Sequence, residues 1–240
     1  MSDTTQIQPG TATGPVVVEV QVPQPSGVLL GSGGDPLILV LPTFAVGSLA
    51  LGVLLTGWVA PLTALSGVVP ITAATTGVAL LIGTLWAIFL GQTIVAGISG
   101  IFAGFWLSLS ALLLGLGHDW YLVPASATSG VEQLFFICWA VIIFVLLFPT
   151  LKLPAVYPLV MALVVVALAL STVAAGGTDP VALYRAAGIV VIVFAALGWY
   201  AFLAVGFTAM GFGPHVPLGP APADLGRRGS PLPAKRPAAG

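Results

Sequence analysis

The chain has 240 residues, of which 58% are hydrophobic and only 5% charged, and its mean hydropathy is +1.14. A soluble domain carries about 25% charged residues, so this composition excludes a water-soluble enzyme, a nucleic-acid binder and a disordered scaffold, and places the chain in a membrane. Six Lys+Arg against seven Asp+Glu leave a formal charge of −1, too little for a strongly charged partner, and the lone Cys138 allows neither an intrachain disulfide nor a thiolate metal cluster.

Residues 1–34 are rich in Thr, Pro, Gln and Gly, contain no basic residue and so lack the charged start of a cleavable signal peptide; they read as a flexible cytoplasmic tail. Inside it, Val16 to Val22 alternates with the period of a strand. Gly31-Ser32-Gly33-Gly34 is not a phosphate loop, because no Gly-Lys-Ser/Thr follows. Asp35-Pro36 predicts a helix start, with Asp as N-cap and Pro at the first helical position.

A hydrocarbon core of roughly 30 Å needs about 20 apolar helical residues. Six runs meet that need: Leu37–Val59, Ile71–Leu90, Ile94–Leu116, Gln133–Phe148, Ala155–Ala174 and Val181–Gly206, the fourth being the shortest. Barrel strands would alternate polar and apolar residues, whereas Val141–Phe148 is apolar at every position. The expected fold class is therefore all-α, a polytopic membrane protein with six transmembrane helices over residues 35–218.

Long connections, Ala60–Pro70 and His118–Glu132, fall on one side, and the tight turns Gly91-Gln92-Thr93 and Pro149–Pro154 on the other. The tight-turn side carries Lys152 and the tail residues Arg227, Arg228, Lys235 and Arg236, against Arg185 alone opposite, which puts both termini in the cytoplasm. Residues 219–240, rich in Pro, Ala and Gly, read as an extended, unpacked tail whose basic residues can rest on anionic membrane lipids.

On this reading no charge falls mid-span: Lys152 and Arg185 reach the interface, and Asp119 and Glu132 lie in a loop. A dedicated intramembrane proton relay is not expected. His118-Asp119 has no second histidine nearby and His215 lies past the sixth span, so no enzyme, no cofactor and no metal site is expected. Small residues are the most regular pattern. Ala96, Gly100, Gly104 and Ser108 recur along the third span, and Ala79, Gly83 and Ala87 along the second, each a stripe that admits a neighbouring backbone. With Gln92, Thr93 and Ser99 nearby, the third-span stripe reads either as helix packing or as the wall of a narrow polar path. Trp86, Trp106, Trp120, Tyr121, Trp139, Trp199 and Tyr200 fit interfacial belts where they fall near span ends, while Phe44 and Phe102 lie within spans and read as core, or as a gate if a pore runs there.

The order of several short motifs resembles the acetate uptake transporters, which include bacterial acetate and succinate permeases and their yeast relatives. That family opens its first helix with Asn-Pro-Ala-Pro-Leu-Gly-Leu and a Gly-Phe pair; Pro36, Leu39, Leu41 and Phe44 agree with it. Gly91-Gln92-Thr93 resembles its Gly-Asn-Thr turn, Phe105-Trp106 its Phe-Trp pair, and Trp139, Thr150-Leu151-Lys152 and Val216-Pro217-Leu218-Gly219 follow in register. The resemblance implies a homohexamer of six-helix protomers in a bacterial plasma membrane. Each protomer would carry small carboxylates past a constriction of Phe44, Phe102 and Val164, with Asp35, Pro36 and Leu39 at the cytoplasmic mouth. Asp35 replaces the family's Asn, which disfavours an anion there, and Phe102 stands where the family often has Tyr, so a hydroxyl is missing. The expected function is transport of acetate or a similar short monocarboxylate, or succinate, with a proton or as the neutral acid. A channel for a neutral solute such as ammonia or urea, and a non-transporting scaffold, are the alternatives.

Overall fold

The computed structural model describes residues 34–59, 62–177, 179–213 and 215–225. The amino-terminal tail, its Val16 to Val22 alternation and the basic residues Arg227, Arg228, Lys235 and Arg236 lie outside the described residues. Six helices are long and apolar enough to cross a membrane. They are α1 (Leu37–Leu55), α2 (Pro70–Phe89), α3 (Thr93–Gly117), α4 (Ala125–Thr150), α5 (Val156–Ala175) and α6 (Pro180–Ala209).

Local chemistry sets the ends. At the start of α1 the Asp35 carboxylate accepts the Leu37 N–H at 2.9 Å, and Pro36 already has helical dihedrals. The helix stops short of the predicted Val59 because Gly57, at φ +88°, turns the chain, its N–H donating to Leu54 O at 3.0 Å. A 3-10 stretch, Leu62–Val68, leads into α2, whose first part, Pro70–Val78, has the wider π-helical turn. At the far side of the bundle, Asp179 caps α6 by accepting the Ala182 N–H, with Pro180 next in the chain.

The fourth span departs most from expectation. It runs from Ala125 to Thr150, 26 residues, so it is not the shortest, and the connection before it shrinks to His118–Pro124. Its polar opening is stabilised by α5: Ser129 Oγ donates to Ala175 O, and Gln133 Nε2 donates to Thr172 O at 3.1 Å. The Ala175 carbonyl at the end of α5 thus finds a donor across the helix pair, and Thr172 O, which already accepts the Gly176 N–H at 3.3 Å, gains a second one. Glu132 is consequently part of a membrane-spanning helix and not of a loop.

Helix α1 packs most extensively on α6, α5 lies against both α4 and α6, and α2 lies against α3. The α1–α6 approach depends on glycine. A Cβ on Gly188 would stand 2.7 Å from Gly52 O, and one on Gly52 would stand 2.8 Å from the Ile192 side chain. Hydroxyls inside the bundle bond mostly to carbonyls one turn back, as Ser48 does to Phe44 O and Ser171 to Ala167 O. Thr72 and Ser110 instead join α2 to α3 at 2.7 Å, and Thr76 donates to Thr43 O of α1 at 3.0 Å.

The expectation of an unpacked tail from Gly219 onward fails for its first residues. Ala223 N donates to Leu151 O at 3.1 Å and Lys152 pairs with Asp224 at 3.4 Å, just after Leu218 O has accepted the Val156 N–H at 3.2 Å. Proline does not prevent this docking, because the bonded donors belong to non-proline residues. Outside the bundle α4 is nearly bare, with only 6% of its most apolar stretch buried. Its exposed Leu134, Val141, Val145 and Phe148 suit lipid or another helix.

Candidate functional site

Two cavities lie end to end inside the bundle. The first, of about 550 Å³, is lined near the C-terminal ends of α1 and α3 and the N-terminal parts of α4 and α6, by residues such as Leu55, Gly117, Thr128 and Tyr184. We call it the distal cavity. The second, of about 340 Å³, is lined near the starts of α1, α3 and α5, by Leu37, Ile94 and Tyr157 among others, with Leu218 from the docked carboxy-terminal segment. This is the proximal cavity.

Phe44 and Phe102 are the residues common to both walls. Their rings meet edge to face with centroids 5.0 Å apart, and Phe44 stacks on Phe194 of α6 at 5.8 Å. All three are buried, as is Val164, which lines the distal cavity beside them. Phe194 is absent from the sequence-derived constriction. A signal for it exists: it is the one aromatic residue on the small, buried face formed by Ala187, Gly188, Val191, Ala195, Gly198 and Ala201. A residue projecting from a face that otherwise admits close helix approach must fill space between helices.

The other expected residues scatter. Ser99 lines the proximal cavity, but its hydroxyl donates to Val95 O at 2.7 Å and lies 2.9 Å from Thr84 Oγ1. Gln92 and Thr93 form the turn into α3 and line neither cavity, so these three polar residues do not share a wall. Asp35 is engaged with its own helix, Pro36 is fully buried, and Leu39 lines neither cavity although its neighbours Leu37, Val40 and Leu41 line the proximal one. Of the third-span stripe, Ala96 is buried, a Cβ on Gly100 would meet Thr84 of α2 at 3.2 Å, and one on Gly104 would meet the Trp139 ring at 3.4 Å. Ser108 donates to Phe105 O at 3.0 Å. The stripe therefore divides between two neighbouring helices.

The walls are mainly apolar. Polar groups in the distal cavity come from Ser66, Thr128, Glu132, Ser171 and Tyr184. Trp106 also lines it, 1% exposed, and its indole Nε1 has no hydrogen-bond partner. Leaving such a donor unpaired costs about 1–3 kcal/mol. The four-residue spacing of Thr128 and Glu132 is the sequence signal that could have marked this polar face.

Comparison with known proteins fits this architecture. The chain matches the bacterial acetate channel SatP in structure with a TM-score of 0.68 at 20% sequence identity, over 78% of this chain and 99% of that one. No curated protein matches it in sequence. The sequence profile of the GPR1/FUN34/yaaH family matches residues 23–211, well over half of the chain. This protein therefore belongs to the GPR1/FUN34/yaaH family, with a helical membrane fold shared with that channel.

Proposed function

We propose that the protein is a channel or transporter for acetate or a similar short monocarboxylate, which crosses as the undissociated acid or together with a proton. The observation that carries this reading is the pair of mainly apolar cavities meeting at Phe44 and Phe102. An aromatic constriction excludes water, and an ion crossing it would lose its hydration without a replacement partner. A small neutral acid has no such cost. Family membership and the shared fold with a bacterial acetate channel support the substrate class. Succinate, with two carboxyl groups to neutralise, fits less well. The bare apolar face of α4 supports assembly into a closed homo-oligomer, six-fold by family resemblance. We place both termini in the cytoplasm of a bacterial cell, with Lys152 on that side.

The test is uptake of labelled acetate into liposomes carrying the purified protein, with leak through protein-free liposomes subtracted. Flux above leak that rises as the pH falls, and that propionate competes away, is the expected result. Absent flux combined with raised ammonia or urea permeability would transfer the pathway to a neutral solute. In the same assay Trp106→Phe keeps an aromatic ring and removes the orphan N–H. Acetate flux should fall about fivefold, the equivalent of one hydrogen bond of about 1 kcal/mol to the passing oxygen, with the protein still folded although its melting temperature drops because the smaller ring leaves a void. Unchanged flux would remove Trp106 from the pathway.

A further inference from the structure

Among the described residues, Glu132 supplies the one carboxyl group on the wall of either cavity, and no Lys, Arg or His lines them. It lies two turns inside α4, about 10 Å from its start, too deep to compensate the helix N-terminus, whose field fades within the first turn. Among the described residues no cation pairs with it. The sole ion pair among the described residues is Lys152–Asp224, at the other end of the bundle. Besides Glu132, the cavity wall takes Thr128 from α4, Tyr184 from α6, Ser171 from α5 and Ser66 from the 3-10 stretch; α1 and α3 present apolar side chains and Trp106. Nearby charges point elsewhere: the Arg185 guanidinium lies toward Gly57, 3.9 Å from where its Cβ would be, and Asp179 caps α6. His118 Nδ1 is 3.0 Å from Leu114 O of its own helix.

We propose that Glu132 selects the ionic form of the solute: its ionised carboxylate repels carboxylate anions from the distal cavity and lets the undissociated acid pass. Charge in a cavity with low-dielectric walls acts over a longer range than on an open surface, because field lines are concentrated in the lumen. The two cavities are in series, so a barrier to anions in one opposes anion flow in both directions. This deepens, and rests on, the monocarboxylate reading.

The experiment compares wild type, Glu132→Gln, Glu132→Leu and Glu132→Asp in liposomes at pH 7.5, where acetate is almost wholly ionised, under potassium diffusion potentials of either sign. Wild type and Glu132→Asp should take up acetate at rates indifferent to the potential. Glu132→Gln and Glu132→Leu should gain about tenfold in uptake, the equivalent of about 1.4 kcal/mol of repulsion removed, and an inside-positive potential should accelerate that added flux. At pH 5.5 all four should converge. Including both neutral replacements guards against one that fails to insert, which gel filtration in detergent detects. The proposal is overturned if both neutral variants match wild type in rate and potential response, or if wild-type flux is itself driven by the potential. Should wild type carry no acetate above leak even at pH 5.5, the monocarboxylate reading falls, and this inference falls with it.

Discussion

Truncating Phe44 to alanine should join the two cavities and abolish discrimination by size. Phe44 lines both cavities and touches both Phe102 and Phe194, so its removal leaves neither partner able to span the gap. Acetate flux should rise about tenfold, the equivalent of about 1.4 kcal/mol off the barrier, and butyrate, which the intact constriction is expected to reject, should follow at a comparable rate. The same change removes a buried ring and lowers stability by about 3–5 kcal/mol. Phe44→Leu, which keeps most of the packing, separates the two effects: it should widen selectivity with a smaller loss of melting temperature. If Phe44→Ala inserts, remains folded and still rejects butyrate, the three phenylalanines are packing and the selective step lies elsewhere.

Gly188→Val should abolish the folded protomer. The added Cβ would stand 2.7 Å from Gly52 O, 2.9 Å from Leu55 Cβ and 3.0 Å from Thr56 N. Two of those atoms are backbone and cannot rotate away, so α1 and α6 must separate along their most extensive contact. Overpacking a core costs about 1–3 kcal/mol where side chains can yield, and a backbone clash costs more. The readout is the yield of monodisperse protein in detergent, expected to fall to background. Gly97→Ala is the control, because nothing lies within 4 Å of its added Cβ. It should be neutral or slightly stabilising. Equal tolerance of both substitutions would contradict the close α1–α6 approach.

These two predictions differ in how far the sequence already pointed to them. Phe44 and Phe102 were accessible through the family resemblance, Phe44 as part of a matched motif and Phe102 by its position between two of them. Gly188 was not, because close approach is a property of two helices, and its partner Gly52 lies far away in the chain. The four-residue stripe of Ala96, Gly100, Gly104 and Ser108 was visible as a pattern, yet a pattern on one helix does not say which neighbour meets it. It turns out to face Thr84 at one point and Trp139 at another. Ser99 shows the same limit. Its hydroxyl looked available for a solute, whereas the fold engages it with Val95 O and Thr84.

Glu132 marks the boundary between the two kinds of information. Hydropathy placed it in a loop, because Ser126, Thr128, Ser129 and Gly130 lower the local average, and only the neighbouring α5 supplies the carbonyls that pair the polar side chains of Ser129 and Gln133. The sequence by itself determined the membrane setting, the helical class and the six spans. A bilayer imposes thickness and internal hydrogen bonding on each segment separately, so those properties are local and one-dimensional. Only the tertiary structure decided that Phe194 stacks on Phe44 beside the junction of the two cavities, that α1 and α6 touch through Gly52 and Gly188, and that Glu132 faces a cavity. Each of these depends on which faces of distant helices come together, and close packing between helices is settled by complementary shape across the whole bundle.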